Sequence, residues 1–202
     1  MKNNLNQIQR KLLITAFLKS IPNLDMSNND IDKYLEMIPK EVLERERQRL
    51  IALGYLKKDG LITDDGRKQI RVGVIGGVFD VLHIGHIHML RKAKEQVDVL
   101  IVIIATDDTV KKMKNREPLH KQEWRKDVIT SLKYVDAAII GEEKEFRVPL
   151  IKINPDVIFL GYDQKIPPGI SKKELQNREV IKLNFKIEGV KTSKILEKLE
   201  SL

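Results

Sequence analysis

The 202-residue chain contains no cysteine. Disulfide bonds, thiolate nucleophiles and zinc sites built on thiolates are therefore excluded. The chain also has no apolar run near the roughly 20 residues that a membrane helix needs. Its first residues lack the apolar core of a secretory signal peptide. These absences predict a soluble, cytoplasmic protein with no membrane partner.

Two common phosphate-binding loops are missing as well. Residues 73–77 read GVIGG, which does not match the G-x-G-x-x-G fingerprint, and no G-x-x-x-x-G-K-[ST] P-loop occurs. The chain nevertheless carries 37 lysines and arginines against 29 acidic residues, a formal net charge of +8. An excess of positive charge favours anionic partners, either nucleic acid or phosphorylated small molecules.

From residue 70 onward, short apolar runs alternate with amphipathic segments. The run VDVLIVIIAT at 97–106 is typical of a strand that is buried on both faces. Strands separated by helices imply a parallel sheet with right-handed crossovers. We therefore predict an α/β domain over 70–202, with a Rossmann-like, doubly wound parallel sheet of five strands. The predicted strands lie within residues 71–77, 97–106, 137–141, 156–161 and 180–185.

Residues 1–69 have a different pattern. Helical spacing of apolar residues predicts three helices within 6–19, 28–37 and 39–54. Two short extended pieces follow, on either side of Asp59-Gly60, a dipeptide that favours a tight hairpin turn. The stretch LIALGYLKKDGLITDDGRK at 50–68 resembles the third helix and wing of the winged helix-turn-helix family. We therefore predict a small winged-helix domain before the α/β domain.

The third predicted helix interleaves Arg45, Arg47 and Arg49 with Glu44 and Glu46. Arginines can read guanine edges or phosphates in DNA. Alternating charge is also the ordinary pattern of a solvated helix face. DNA binding through residues 1–69 and pairing of two copies into a homodimer both remain open.

The motif GGVFDVLHIGH at 76–86 follows the first predicted strand of the α/β domain. A strand that runs through a glycine turn into a helix can bind anions, because free N–H groups at the helix start face the ligand. If the helix begins near His83, then His83 and His86 share one face. Gly85, which has no side chain, would let a ligand approach the backbone. The imidazoles could stabilise oxygens that gain charge in phosphoryl chemistry; structural histidines, or a metal site with His88, are the alternatives.

The pattern G-x-F-D-x-x-H-x-G-H resembles the HxGH nucleotidylyltransferase superfamily, which has a cytidylyltransferase-like fold. The resemblance continues through ATDDTVKKMKNREPL (105–119), the helix that begins EWRKD (123–127), FLGYDQ (159–164) and KTSKI (191–195). It implies catalytic roles for His83, His86 and Lys114, with Lys111 as the second candidate lysine. It further implies nucleotide contacts at Gly77, Val78, Phe79, Asp80, Gly85, Arg125, Gly161, Asp163, Thr192 and Ser193.

The residues themselves leave some of these roles open. Lys114 follows a strand end in a predicted lysine-rich loop that could attract a polyphosphate, or it belongs to a solvated run of charge. Arg125 is either a phosphate contact or a surface salt-bridge partner. Asp163 lies at the carboxyl edge of the sheet, where open α/β sheets bind ligands, or is a turn residue. Thr192 or Ser193 is a natural N-cap of the last helix. We interpret two other histidines, His88 and His120, as ordinary surface residues.

The resemblance implies that a phosphate oxygen of a second substrate attacks the α-phosphorus of a nucleoside triphosphate and that pyrophosphate leaves. Mg²⁺ would accompany the triphosphate. Residues 105–118 and 159–165 look most like the archaeal FAD synthase branch, which adenylylates FMN with ATP. Cytidylyltransferases that use CTP with glycerol phosphate or phosphoethanolamine share the core motifs, as do other adenylyltransferases. A transcriptional regulator that senses a nucleotide or flavin is the remaining alternative, although the intact catalytic set favours an enzyme.

Overall fold

A computed structural model describes residues 5–26, 30–142, 147–166 and 170–184 of the chain. Among these residues, no helix is both long and apolar enough to cross a membrane. The elements are, in chain order, α1 (Gln7–Lys19), β1 (Asp25–Met26), α2 (Asp30–Glu36), α3 (Lys40–Ala52), α4 (Asp64–Arg67), β2 (Val72–Gly77), α5 (Ile84–Lys94), β3 (Val99–Ile104), α6 (Asp107–Lys114), α7 (Gln122–Thr130), β4 (Ala137–Ile140), α8 (Arg147–Ile153), β5 (Val157–Gly161), α9 (Lys172–Leu175) and β6 (Glu179–Leu183).

The described part of the chain forms one six-stranded sheet in the order β1-β4-β3-β2-β5-β6. The five strands predicted from the sequence are β2 to β6, and all four pairings among them are parallel. Every residue of β3 is buried, as its unbroken apolar run predicts. The chain runs outward from β2 to β4 and then crosses back to β5 beside β2. Ligands in sheets of this kind bind at such a reversal point, outside the carboxyl ends of the strands.

The sixth strand, β1, is a correction to the predicted five-stranded parallel sheet. Its two residues pair antiparallel with β4, Asp25 opposite Ala138 and Met26 opposite Ala137. A strand of two residues is too short to show the alternation of apolar and polar positions that identifies a strand in sequence. The sheet is therefore mixed, and its edge at β4 is extended by a residue pair from the N-terminal segment.

The first three helices, α1 to α3, lie much as the sequence predicts, but the hairpin that follows them is smaller than predicted. It consists of one antiparallel bridge between Leu56 and Ile62, closed by a turn in which Gly60 has φ +86°. The second extended piece ends early because Thr63 caps a new helix, α4, and its hydroxyl accepts from the N–H of Gly66 at 3.0 Å. Ser, Thr, Asp and Asn are the residues that start helices in this way. The winged-helix assignment of this segment remains a prediction.

Helix α1 contributes to the hydrophobic cluster on one face of the sheet. Its buried side chains share one hydrophobic cluster with β2, β3 and β4, including Leu13, Ile14, Phe17, Leu18, Val72, Val74, Ile101, Ile103 and Ile139. The opposite face forms a second cluster with α5 and α7, including Leu90, Ala93 and Ile129. Residues on both sides of position 69 therefore contribute to one hydrophobic cluster, and the division into two domains at this point remains a prediction.

Ion pairs and hydrogen bonds also join the N-terminal helices to the sheet. Arg10 on α1 contacts Asp98 at 2.8 Å, and the other carboxylate oxygen of Asp98 accepts from the N–H of Arg71 at 2.7 Å. Arg67 in α4 donates to the carbonyl of Asn154 at 2.8 Å and to Asp156 at 3.0 Å. These contacts fix the N-terminal segment at the amino ends of the strands, away from the edge where ligands bind in such folds.

The alternating charges of α3 are not all solvated. Glu46 is buried and accepts hydrogen bonds from Gln9 at 2.9 Å, Asn6 at 3.1 Å and Arg49 at 2.7 Å. Burial alone would raise the pKa of Glu46, but the hydrogen bond from Asn6 and the charge of Arg49 hold it below its usual value. Glu46 therefore ties α3 to α1, and the exposed face of α3 is more basic than its sequence indicates.

Candidate active site

The motif at 76–86 spans the end of β2, a tight turn and the start of α5. His83 is the N-cap of α5, with an extended backbone at φ −144°, and His86 lies one turn further on. Their rings stack with centroids 3.8 Å apart and an interplanar angle of 19°, so the two histidines share one face as their spacing predicts. Both imidazoles therefore lie beside the free N–H groups of a helix start, which favour negative charge.

The two imidazoles are neutral at physiological pH. Burial lowers the pKa of His83, and burial together with the charges of His83 and Lys114 lowers the pKa of His86 to about 4. The Nδ1 atoms of both rings are buried and have no hydrogen-bond partner among the described residues. A neutral imidazole keeps one N–H donor. The pair can thus donate hydrogen bonds to an anion, whose charge would in turn raise the pKa values of both histidines.

Phe79 fixes the position of His86. Its backbone is left-handed at φ +52°, a conformation that is costly for a residue other than glycine. The Phe79 ring is buried and meets the His86 ring edge-on, with centroids 5.2 Å apart. A Cβ atom on Gly77 would lie only 2.6 Å from this ring. Gly77 is therefore required so that Phe79 can pack beneath the histidine.

The space beside Gly85 is used by the protein itself. A Cβ atom there would lie 3.0 Å from the Cε1 and Nδ1 atoms of His83. The sequence predicts that the missing side chain lets a ligand approach the backbone. In the structure, it lets the His83 ring fold against the first turn of α5.

Asp80 holds the loop that follows α6. Its side chain is 1 % exposed and accepts from the backbone N–H groups of Leu119 and His120, each at 3.0 Å, and from Arg116 at 3.2 Å. Burial alone would raise the pKa of Asp80, but these backbone bonds and the Arg116 guanidinium hold it below its usual value. A nucleotide contact at Asp80 remains a prediction. The contacts in the structure give it a positioning role.

His120 is exposed, as the sequence suggests, but it also helps to hold Asp80. Its Nδ1 donates to the carbonyl oxygen of Asp80 at 2.9 Å, so its side chain and its backbone both contact the same aspartate. Pairings such as this join residues 40 positions apart, and no local sequence pattern reveals them. His88, in contrast, is half-buried on α5, with its Nδ1 atom 3.4 Å from the guanidinium of Arg91.

Lys114 is the last residue of helix α6 rather than part of a loop, which corrects the sequence prediction. Thr106 caps the start of this helix by accepting from the N–H of Thr109 at 3.1 Å. Asn115 ends the helix in the left-handed conformation at φ +51°. Desolvation and the charge of Arg116 lower the pKa of Lys114, while Asp80 and Asp163 oppose that change. Lys111, the other candidate, pairs instead with Glu117 on the surface.

Arg125 is buried, so the alternative of a surface salt bridge is wrong. It is 1 % exposed, and its guanidinium donates to the carbonyls of His120 at 2.9 Å, Val78 at 2.6 Å and Ala105 at 2.7 Å, and to the carboxylate of Asp107 at 2.7 Å. These acceptors lie in the turn after β2, at the end of β3, at the start of α6 and in the loop before α7. Arg125 therefore joins the segments that surround the histidines, and its predicted phosphate contact is not tested by these bonds.

The end of β5 completes the site. Gln164 accepts from the N–H of Gly161 at 2.8 Å and donates to the carbonyl of Gly76 at 3.0 Å, which joins the ends of β5 and β2 at the reversal point. Asp163 is exposed and acts electrostatically on both His86 and Lys114. Sequence reasoning identified Asp163 but missed Gln164 and Arg116. Thr192 and Ser193 lie outside the described residues.

Comparisons with known proteins show the family to which the chain belongs. Residues 74–200 match a family model described as cytidylyltransferase-like, so helices α1 to α4 lie before the matched region. The FAD synthase of Pyrococcus abyssi is 46 % identical over 144 residues, which cover 68 % of this chain and 97 % of that protein. The FAD synthase of Pyrococcus horikoshii is 46 % identical over 142 residues, covering 67 % and 95 %.

A solved structure is also similar. The lipopolysaccharide core biosynthesis protein of Thermoplasma volcanium matches with a TM-score of 0.50 and 35 % identity, over 56 % of this chain and 95 % of that one. The similarity supports the Rossmann-like α/β fold of the sheet.

Proposed function

Because the chain belongs to the cytidylyltransferase-like family and to the FAD synthases within it, we propose that it transfers the adenylyl group of ATP to FMN. The observation that carries the proposal is the stacked pair of neutral histidines at the start of α5, with the Lys114 charge acting on it. This pair lies at the reversal point of the sheet, where a nucleotide would be expected.

In the proposed reaction, a phosphate oxygen of FMN attacks the α-phosphorus of ATP. A new P–O bond forms, the bond from the α-phosphorus to the bridging oxygen breaks, and pyrophosphate leaves with that electron pair. The attacking phosphate is already anionic at neutral pH, so no strong general base is required. Catalysis then consists of positioning and of stabilising charge on the transferred group.

The chain supplies donors for each part of this task. His83 and His86 donate hydrogen bonds to oxygens that gain charge, as neutral groups that need no rearrangement of solvent. Lys114 provides the fixed positive charge. The backbone of residues 77–80, together with Gly85, Gly161 and Asp163, surrounds the nucleotide. Mg²⁺ would accompany the triphosphate, would be held mainly by its oxygens and by water, and would neutralise part of its charge. Thr192 and Ser193, which lie outside the described residues, are proposed to contact phosphate as the resemblance implies.

Pyrophosphate release tests the proposal. We would measure it with ATP or CTP against FMN, glycerol phosphate, phosphoethanolamine and phosphopantetheine. FMN with ATP should give the highest kcat/KM. A preference for CTP, or for an acceptor without a flavin, would contradict the assignment. No release with any pair would favour the alternative of a sensor.

Variants of two histidines on α5 provide the matched comparison. His86→Ala should lower kcat by about 10² to 10³, the usual cost of removing one donor to a charged transition state, with an unchanged melting temperature. His88→Ala, which removes a histidine beside Arg91 on the same helix, should leave kcat unchanged. A His86→Ala enzyme with wild-type turnover would disprove the catalytic assignment.

We also propose that the N-terminal segment binds duplex DNA through α3 and the adjoining turn. Arg47, Lys57 and Lys58 are exposed, and a Cβ atom on Gly60 would lie 3.8 Å from the Arg47 guanidinium. The turn thus lies against the basic face of α3 and continues it. A basic surface of this kind supports binding to phosphates. The alternative is that this surface joins two copies of the chain into a homodimer.

Binding of a labelled duplex at several salt concentrations distinguishes the two uses. The double variant Lys57→Ala/Lys58→Ala should bind more weakly and with a shallower salt dependence, because fewer counterions are released. The matched double variant Lys152→Ala/Lys173→Ala, which removes the same charge from α8 and α9, should bind as the wild type. A protein that binds no duplex at low salt but elutes as a dimer would support pairing instead.

A further inference from the structure

The segment that follows β3 is strongly polar, and two exposed apolar side chains interrupt it. Residues 111–121 read KKMKNREPLHK. Met113 is 72 % exposed and Leu119 is 58 % exposed. Single exposed apolar residues are common on protein surfaces, so their exposure alone indicates no function. Their position does, because each adjoins a residue of the active site.

Met113 and Leu119 flank the proposed phosphate-binding lysine in the sequence. Met113 precedes Lys114 in the last turn of α6. The backbone N–H of Leu119 donates to Asp80 at 3.0 Å, and Asp80 lies three residues before His83. The charges of Asp80 and Asp163 both act on Lys114. We call the two exposed side chains the apolar rim.

The rim belongs to a well-held segment although its side chains are exposed. Lys111 forms an ion pair with Glu117 across the base of the loop. Arg116, Leu119 and His120 all contact the buried carboxylate of Asp80. A surface that is already ordered loses little conformational entropy when a ligand covers it.

We infer that the apolar rim binds the isoalloxazine ring of FMN; this inference rests on the proposed function. The phosphate of FMN must reach Lys114 and the histidines in order to attack the α-phosphorus. The flavin ring, at the other end of the ribityl chain, then extends outward over the adjoining surface. That surface offers a thioether and a branched aliphatic side chain, both of which pack well against flat aromatic rings.

The rim also provides selectivity among acceptors. Glycerol phosphate and phosphoethanolamine offer the same phosphate to Lys114 but have no ring to cover Met113 and Leu119. Only a flavin removes this apolar area from water. The rim therefore determines the KM for the acceptor, while the histidines and Lys114 determine the rate of transfer.

Serine substitutions test the inference. In Met113→Ser and Leu119→Ser, the KM for FMN and the Kd for FMN measured by quenching of flavin fluorescence should each rise about tenfold, the effect of losing most of one apolar contact. The KM for ATP and the kcat should stay within about twofold of the wild type, because the ring does not take part in the transfer. Met37→Ser and Leu61→Ser, which remove similar exposed side chains from the N-terminal segment, should change none of these values.

The outcomes separate this inference from the proposed function. An unchanged KM for FMN in both rim variants, with a wild-type enzyme that adenylylates FMN, would overturn the inference alone. A wild-type enzyme that does not use FMN would overturn both. A parallel loss of kcat or rise in the KM for ATP would show that the substitutions displace Lys114, and would also overturn a direct contact with the ring. Thermal unfolding of each variant confirms that the comparison is between folded proteins.

Discussion

His86 shows at the residue scale how the site is adapted to anions. Its pKa of about 4 lies well below the ordinary value of 6.5. The unfolded chain therefore binds more protons than the folded protein between about pH 6.5 and pH 4, and stability falls as the pH drops through this range. Keeping His86 neutral therefore lowers the unfolding free energy only at acidic pH.

Substituting His86 should remove this sensitivity to acid. Between pH 7 and pH 5, the wild type should lose about 2 kcal/mol of unfolding free energy through this group. His86→Asn cannot take up a proton in this range, so its loss should be smaller by about that amount. Urea unfolding of both proteins at the two pH values measures the difference. Equal losses would mean that His86 titrates normally in the folded state.

Gly77 and Phe79 form a second residue-scale feature, in which steric fit determines catalytic geometry. Gly77→Ala places a Cβ atom 2.6 Å from the Phe79 ring, so the ring must move and carry His86 with it. We expect kcat to fall at least about tenfold, since displacements near 1 Å cost this much or more. The melting temperature should change little, because the effect of the substitution is on the position of His86 and not on the stability of the fold.

A double variant tests whether the ring transmits this effect. Gly77→Ala/Phe79→Leu replaces the ring by a smaller side chain and should recover part of the lost kcat. If the double variant is slower than either single variant, then Gly77 acts through its own contact with the nucleotide and not through Phe79.

The sequence identifies some residues of the site and misses others for a clear physical reason. His83, His86 and Asp163 follow the ends of predicted strands, where local patterns locate them. Asp80 and Arg116 are 36 positions apart, and Gln164 and Gly76 are 88 positions apart. Their contacts arise only when the strands are placed side by side, and a single sequence carries no signal for that.

At the scale of elements, α6 and α7 act as one unit around the nucleotide site. The sequence predicts α7 but reads α6 as a loop, because Asp107, Asp108 and three lysines hide the single buried position, Val110. Arg125 on α7 joins the two helices to the turn after β2. An uncharged or shorter side chain would leave several carbonyl groups without a donor.

Arg125→Lys tests the structural role of that side chain. Lysine can satisfy only part of the four hydrogen bonds, so we expect the unfolding free energy to fall by about 2 kcal/mol. The measurement is denaturant unfolding without nucleotide. A variant with full stability and only a raised KM for ATP would instead support the phosphate contact predicted from the sequence.

At the scale of the whole molecule, the N-terminal helices and the sheet share one core. The sequence shows a change of pattern near residue 69 and therefore predicts two domains. It cannot show that α1 shares a hydrophobic cluster with β2, β3 and β4, because the apolar stripe of α1 looks the same whether it faces its own domain or another. The match spans almost the whole length of the two Pyrococcus relatives. The N-terminal helices of the present chain therefore have no counterpart within the matched part of those proteins.

Unfolding should therefore be a single cooperative transition. Trp124 on α7, the one tryptophan of the chain, reports on the sheet and its helices. Phe17→Ala in α1 should lower the free energy of unfolding measured from this tryptophan by about 3 kcal/mol, the usual cost of deleting a buried ring. Met37→Ser, an exposed change in the same segment, should have no effect. Two separate transitions, with the tryptophan signal unaffected by Phe17→Ala, would indicate independent domains.

Asn115 restricts how this part of the sequence can vary over evolutionary time. Its left-handed backbone ends α6 directly after Lys114, and only glycine, asparagine and aspartate adopt that conformation at little cost. A β-branched residue or proline there would extend or distort the last turn and move the lysine. Few substitutions at this position are therefore tolerated, although the Asn115 side chain itself takes no part in the chemistry. The backbone conformation alone would therefore slow the rate at which this position accumulates substitutions, although the position contacts no substrate.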